Sequence, residues 1–250
     1  MDARLNAALS THTIAPGEYL DTPDIDVVAT LKRLGRIRKL APRETLRAEH
    51  ADDPNLYLIE SGALKLSLIT NAGDELIIGL FFEGDVLGLQ HLYDTSSNDV
   101  ATALEPTRVF VLPLNTLQRV RVQEDTLQQQ LLRLASQRIA QLQQHILAVA
   151  RHCAIERVAS FVIELARRRT TKPGDVVWLP LSLHGIGCYL NLSLETVCRA
   201  LRQLEHEGVI RKRGRAVQIL DTAHLADIAG GISGGAPPSQ RKPIPMPQRI

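Results

Sequence analysis

An apolar rhythm between Leu132 and Val149 restricts the fold of this chain more than any other feature. Leu132, Ala135, Ile139, Leu142, Ile146, Val149 and Cys153 recur at alternating steps of three and four. On a helix that spacing forms one continuous stripe, and Gln and Arg flank it. Such a stripe packs either on its own domain or on a second copy of itself. A rhythm sustained over about three heptads favours the second reading. A homodimer through residues 124–153 is therefore expected, with Leu132, Ala135, Ile139, Leu142, Ile146 and Val149 as its seam.

The segments before and after this helix differ in kind. Residues 24–35 are expected to form a short helix, and residues 36–112 read as short strands. Asn55-Leu-Tyr-Leu-Ile-Glu60 meets a turn at Ser61-Gly62. Leu64, Leu66 and Leu68 then alternate with polar residues, as on a half-buried strand. Asn71-Ala-Gly73-Asp74 is the next turn, followed by strands at Glu75–Phe82 and Arg108–Leu112, with Gly84-Asp85 turning the chain between them. Evenly spaced short strands suggest a small antiparallel roll or barrel. After the long helix, residues 154–170 read as a helix closing on Arg167-Arg168-Arg169. Val176–Leu179 reads as a strand, 183–190 and 194–207 as two short helices, and Val209-Ile210 with Ala216–Leu220 as a hairpin. The expected class is α+β. Residues 1–23 are expected to form a flexible N-terminus, 24–113 a β-roll, 114–153 the dimerisation helix, 154–229 a second domain, and 230–250 a Gly- and Pro-rich disordered tail.

Charge separates the same two regions. Residues 1–150 carry 14 Lys/Arg against 19 Asp/Glu, and residues 151–250 carry 15 against 8. An acidic front half joined to a basic rear half suggests two domains with different partners. The cysteines, Cys153, Cys188 and Cys198, are odd in number and form no CxxC pair, which argues against a disulfide framework. With no secretory h-region and no span of membrane length, a cytoplasmic protein without a membrane partner is expected.

Residues 183–202 carry the functional signal. Ile186 and Leu190 stand four apart on the first short helix. Asn191 occupies a position suited to a left-handed turn residue, and Ser193 can cap the second helix. Val197, Leu201 and Leu204 give that helix an inward face. Glu195, Cys198, Arg199 and Arg202 point elsewhere, so they can enter a major groove. Glu195, Cys198 and Arg199 are the candidate base readers. Ser193, Thr196, Arg202, Arg211, Lys212, Arg213 and Arg215 are the candidate backbone contacts.

Three passages resemble the CRP/FNR superfamily of transcription regulators, and within it the FNR branch. They are Leu58-Ile-Glu-Ser-Gly-Ala-Leu-Lys65 with Thr70–Glu75, Phe82-Glu-Gly-Asp-Val-Leu-Gly88 leading to Ala103–Glu105 and Leu112-Pro113, and Ile186–Arg199. The resemblance runs over roughly residues 25–228 and is most specific in the third passage. It implies an N-terminal cyclic-nucleotide-binding-like β-roll, a dimerisation helix and a C-terminal winged helix-turn-helix. It also implies palindromic DNA sites with TTGAT-like halves, oxygen or redox state as a signal, and contact with RNA polymerase through a turn matched by Gly73 and Asp74.

The departures from the family shape the expected chemistry. An iron–sulfur cluster needs about four thiolates, yet residues 1–152 contain no cysteine and the position of the family's central cluster cysteine is Phe110. In the cAMP-binding branch a Gly-Glu and a later Arg hold the nucleotide. Here Gly88 is followed by Leu89-Gln90, and Asp99-Val100 stand near the place of that Arg. Neither a cluster nor cAMP is expected. Leu194 replaces the cAMP branch's first recognition-helix Arg, and Cys198 replaces the usual Ser. A haem-based, nitric-oxide-responsive regulator of the same fold is an alternative, with His12, His50, His91 or His145 as ligands, so haem is not excluded. A cupin-like enzyme is a remote second: His50 and His91 lack clustered metal-ligand spacing, and no catalytic residues are expected.

Overall fold

A computed structural model of the chain describes residues 25–46, 55–69, 73, 75–92, 99–116, 125–151, 153–169 and 176–230. Two compact units are present, and the main boundary between them falls after Gln143.

The first unit begins with helix α1 (Ile25–Leu34). Strands follow at β1 (Arg36–Leu40), β2 (Thr45–Leu46), β3 (Asn55–Ser61), β4 (Ala63–Ile69), β5 (Glu75–Phe82), β6 (Val86–Leu87), β7 (Asp99–Ala103) and β8 (Thr107–Pro113). A 3-10 turn at Leu89–Leu92 separates β6 from β7. The strands form two sheets of order β1-β8-β3-β6 and β2-β7-β4-β5, and the pairings that define the roll are antiparallel.

β3 shows why its sequence is apolar throughout instead of alternating. Leu56 and Leu58 face one core with Leu31, Phe110, Leu112 and Leu131. Tyr57 and Ile59 face a second core with Leu64, Leu66, Phe81 and Val109. A central strand covered on both faces gains burial at every residue. β4 follows the expected alternation only in part: Leu64 and Leu66 are buried and Lys65 is partly exposed, but Ala63 and the polar Ser67 are buried as well and Leu68 is half-buried. Gly62, with φ +94°, makes the tight corner between β3 and β4; a Cβ there would lie 2.5 Å from the Thr107 hydroxyl oxygen. That buried hydroxyl in turn accepts from the Ala63 N–H at 3.2 Å and donates to the Glu105 carbonyl at 2.8 Å.

The long helix is α2 (Asp125–Arg151), 27 residues and about 40 Å at 1.5 Å per residue. The expected helix spanned 114–153. Residues 114–116 are helical, and residues 117–124 lie outside the described set. At the other end the helix stops at Arg151, so Cys153 does not extend the stripe. Cys153 instead starts the next helix, α3 (Ala154–Arg169): its carbonyl accepts from the Arg157 N–H and its N–H donates to the Glu156 carboxylate at 2.8 Å. This is half of a capping box, and it fixes a new helix start where the apolar rhythm alone ran on. Leu131 on α2 is buried in the roll. Leu132, Ile139 and Ile146, by contrast, are 69%, 56% and 63% exposed.

The second unit contains α3, β9 (Val176–Trp178), α4 (Leu183–Leu190), α5 (Leu194–His206), β10 (Ile210–Arg213), β11 (Ala216–Ile219) and α6 (Thr222–Ala229). The strands form one sheet, β10-β11-β9. α3 buries Val158, Ala159, Phe161, Val162 and Leu165. It packs against α5 and against α6. α6 was not anticipated from sequence; Asp221 caps it by accepting from the His224 N–H at 2.9 Å. Among the described residues no helix is long and apolar enough to cross a membrane.

Candidate nucleic-acid interface

The interface is built on α4 and α5. α4 starts at Ser182, whose hydroxyl accepts from the Gly185 N–H, and ends on Asn191 at φ 53°, ψ 54°. This left-handed residue reverses the chain, and Asn tolerates that region better than most side chains. The amides of Asn191 and Leu192 both donate to the Gly187 carbonyl, which closes the turn. Gly187 has a second role that sequence reading missed: a Cβ there would stand 2.5 Å from the Leu192 carbonyl oxygen. The two helices approach this closely only because the position is glycine.

α5 begins where Ser193 accepts from the Thr196 N–H at 3.2 Å, so its predicted cap is present. The Thr196 hydroxyl lies 2.9 Å from that of Ser193. Val197, Ala200, Leu201 and Leu204 are buried. Glu195, Arg199 and Arg202 are exposed, and Cys198 is half-buried between the two faces. The helix ends at a C-cap on Glu207, and Gly208 follows it at φ +71°.

Electrostatics at the start of α5 favour an ionised Glu195. A hydrogen bond from its own backbone N–H, one from the Ser193 hydroxyl and the charge of Arg199 hold its carboxyl below the usual carboxylate range. Glu195 can accept and Arg199 can donate, from one exposed face, one helical turn apart.

The hairpin residues divide. In the register of β10 and β11, Arg211 pairs with Gln218 and Arg213 with Ala216, whereas Lys212 pairs with the buried Val217. Arg211 and Arg213 therefore share the outer face, and Lys212 lies on the opposite one. The Lys212 N–H donates to the Glu205 carboxylate at 2.8 Å, which ties the hairpin to α5. Arg215 is exposed and also has partners within the fold. Its Nε donates to the Leu179 carbonyl at 3.0 Å and a terminal nitrogen to the Pro180 carbonyl, so it fastens the hairpin to the segment after β9. Of the polymerase-contact pair, Gly73 is an exposed turn residue at φ +87°, and Asp74 lies outside the described residues.

Among the histidines raised as haem ligands, His145 stacks on Tyr189 with ring centroids 4.4 Å apart. His12, His50 and the side chain of His91 lie outside the described residues.

A β-roll, a long helix and a capped helix-turn-helix with an exposed charged face are the parts of a DNA-binding transcription regulator. Residues 37–124 match the cyclic nucleotide-binding domain family, and residues 156–228 match the Crp-like helix-turn-helix domain family. The chain belongs to the CRP/FNR superfamily of transcription regulators. It is 33% identical to the transcriptional activator protein FnrA of Stutzerimonas stutzeri over 85% of this chain and 87% of that one. It is 34% identical to the transcriptional activator protein anr of Pseudomonas aeruginosa, with the same coverage of 85% and 87%. Among solved structures it superposes on FixK2 from Bradyrhizobium japonicum with a TM-score of 0.71 at 27% identity, covering 81% of this chain and 99% of that one.

Proposed function

We propose that the chain acts in the cytoplasm as a homodimer that binds palindromic DNA with TTGAT-like half-sites and activates transcription through RNA polymerase, with no catalytic step. The paired exposure of Glu195 and Arg199 one turn apart on α5 carries this reading. Exposure of Leu132, Ile139, Leu142 and Ile146 along one stripe of α2 supports the dimer. Pairing two copies through that stripe gives two reading helices, which a palindrome with half-sites about 34 Å apart requires. The names of the FNR-type relatives support activation.

The reading includes neither cAMP nor an iron–sulfur cluster, because the residues present do not fit either group. Where the cyclic phosphate would need a cation, the Gln90 side-chain amide donates to the Asp99 carboxylate at 2.9 Å. A carboxylate there repels an anion. All three cysteines lie from Cys153 onward, one of them on the reading helix, and a cluster needs about four thiolates. An absorption spectrum of the purified protein tests this. A Soret band would mean haem and replace the proposal with the alternative sensor, and broad charge-transfer bands would mean a cluster. For DNA, selection on random duplexes should enrich a TTGAT-like palindrome; another core would sink the reading. For the polymerase contact, Asp74→Ala should lower activation and leave DNA affinity unchanged.

A further inference from the structure

Arg157 stands in the first turn of α3, directly after the capped start at Cys153. Its Nη1 donates to the Leu190 carbonyl at 3.1 Å and to the Asn191 carbonyl at 3.3 Å. These are end carbonyls of α4, which lack partners within their own helix. A cation at a helix C-terminus is also favoured by the aligned peptide dipoles. Asn191 is the one residue whose left-handed conformation sets the direction in which the chain leaves for Ser193 and α5.

We propose that Arg157 is a positioning residue for DNA reading: by holding both carbonyls of the turn from a separate helix, it fixes the orientation at which α5 presents Glu195 and Arg199. Three features converge on this. The guanidinium reaches the turn residue itself, besides the helix before it. Its own helix is anchored by α3 packing against α5. Arg157 is half-buried, so its side chain is held in place by its surroundings. A change of a few degrees at Asn191 moves side chains two turns along α5 by a large part of a hydrogen-bond length, and base contacts tolerate such a shift less than phosphate contacts do. The inference rests on α5 being the reading helix.

The test compares specific and nonspecific DNA affinity, each over a salt series, for the full chain. In Arg157→Met the aliphatic stem keeps its packing and both donated bonds are lost. The expected result is about a tenfold loss of specific affinity, ~1.4 kcal/mol, with nonspecific affinity and the salt slope unchanged. Arg157→Lys keeps one ammonium and should lose only about threefold. Equal loss at specific and nonspecific sites, with a salt slope shallower by about 0.9, would make Arg157 a phosphate contact and overturn the proposal. Unchanged specific affinity in the Met variant would also overturn it. If the Met variant does not melt cooperatively, the Lys variant decides: wild-type discrimination in that protein overturns the proposal. Arg199→Ala is measured alongside. If it keeps full discrimination, the reading of α5 itself fails; if it loses discrimination and the Arg157 variants do not, only the positioning role fails.

Discussion

The guanidinium of Arg138 lies 4.4 Å above the ring centroid of Phe81, and a side chain at Gly79 would collide with it. Two strand residues therefore make a seat for one helix residue: the aromatic face attracts the cation, and the missing Cβ gives it room. Arg138 also donates to the Gln141 side chain at 3.3 Å, one turn along α2. With Leu131 and Leu134 packed on the roll, the inward face of α2 is set, which leaves the Ile139 side pointing out.

That seat gives a measurable coupling. Arg138→Ala and Phe81→Leu each lower stability, and the double variant loses less than the sum. The interaction energy should be about 0.5–1 kcal/mol, the range of a partly exposed cation–π contact. Thermal or urea unfolding of the four proteins measures it, and additive losses would show that the contact contributes nothing.

The stripe on α2 predicts the oligomeric state. Replacing Ile139 and Leu142 with Glu puts like charges into a seam that pairing would bury, at a cost far above that of an apolar contact. Sedimentation should show monomers, and operator affinity should fall because one half-site no longer recruits the other. A dimeric double variant would mean that the stripe is not the interface.

Gly187→Ala tests the close approach inside the helix-turn-helix. Alanine is the better helix former by about 1 kcal/mol, but its Cβ would meet a backbone oxygen that can move only with the turn. Net destabilisation of about 1–3 kcal/mol is expected, as for overpacking elsewhere. DNA affinity should fall with it. An unchanged melting temperature and affinity would mean that the turn shifts freely.

Local signals made the helix-turn-helix legible in the sequence. Asn191 for a left-handed turn, Ser193 for a cap and the buried faces of α4 and α5 depend only on neighbours a few residues away. Features that depend on distant partners were not legible. Arg157 bonds carbonyls 33 and 34 residues away, and Arg215 bonds carbonyls 36 and 35 away. Nothing in the charge pattern announces the bonds of Arg215 to those carbonyls. Cys153 was joined to the stripe because periodicity does not register a capping carboxylate at Glu156. β1 was hard to read for another reason: of its five residues only Leu40 is buried. α6 did have a sequence signal, Asp221 before an apolar pair, but over only 8 residues.

The reading face makes the most specific prediction, because its two charged residues should act at different bases. Arg199 can donate twice to a guanine, and ionised Glu195 can accept from a cytosine or adenine amino group on the other strand. Arg199→Ala should cost about 1–3 kcal/mol, concentrated at one base pair, whereas Arg213→Ala should weaken all sequences alike and flatten the salt dependence. Cys198 offers a weaker hydrogen-bonding group than serine, so selectivity at its base should be relaxed, and Cys198→Ser should sharpen it. The pH dependence follows from the direction in which Glu195 is shifted. Its carboxyl is held below the ordinary value of 4.5. Any contribution of the charged form is therefore complete above that value and lost only as pH falls through the lower, folded-state one. Preference at the Glu195 base pair should thus stay constant from about pH 8 down to about pH 5. A midpoint inside that window, absent in Glu195→Gln, would mean that burial against DNA raises the carboxyl more than the cap and Arg199 lower it. Glu195 would then read its base as a protonated donor and not as an acceptor.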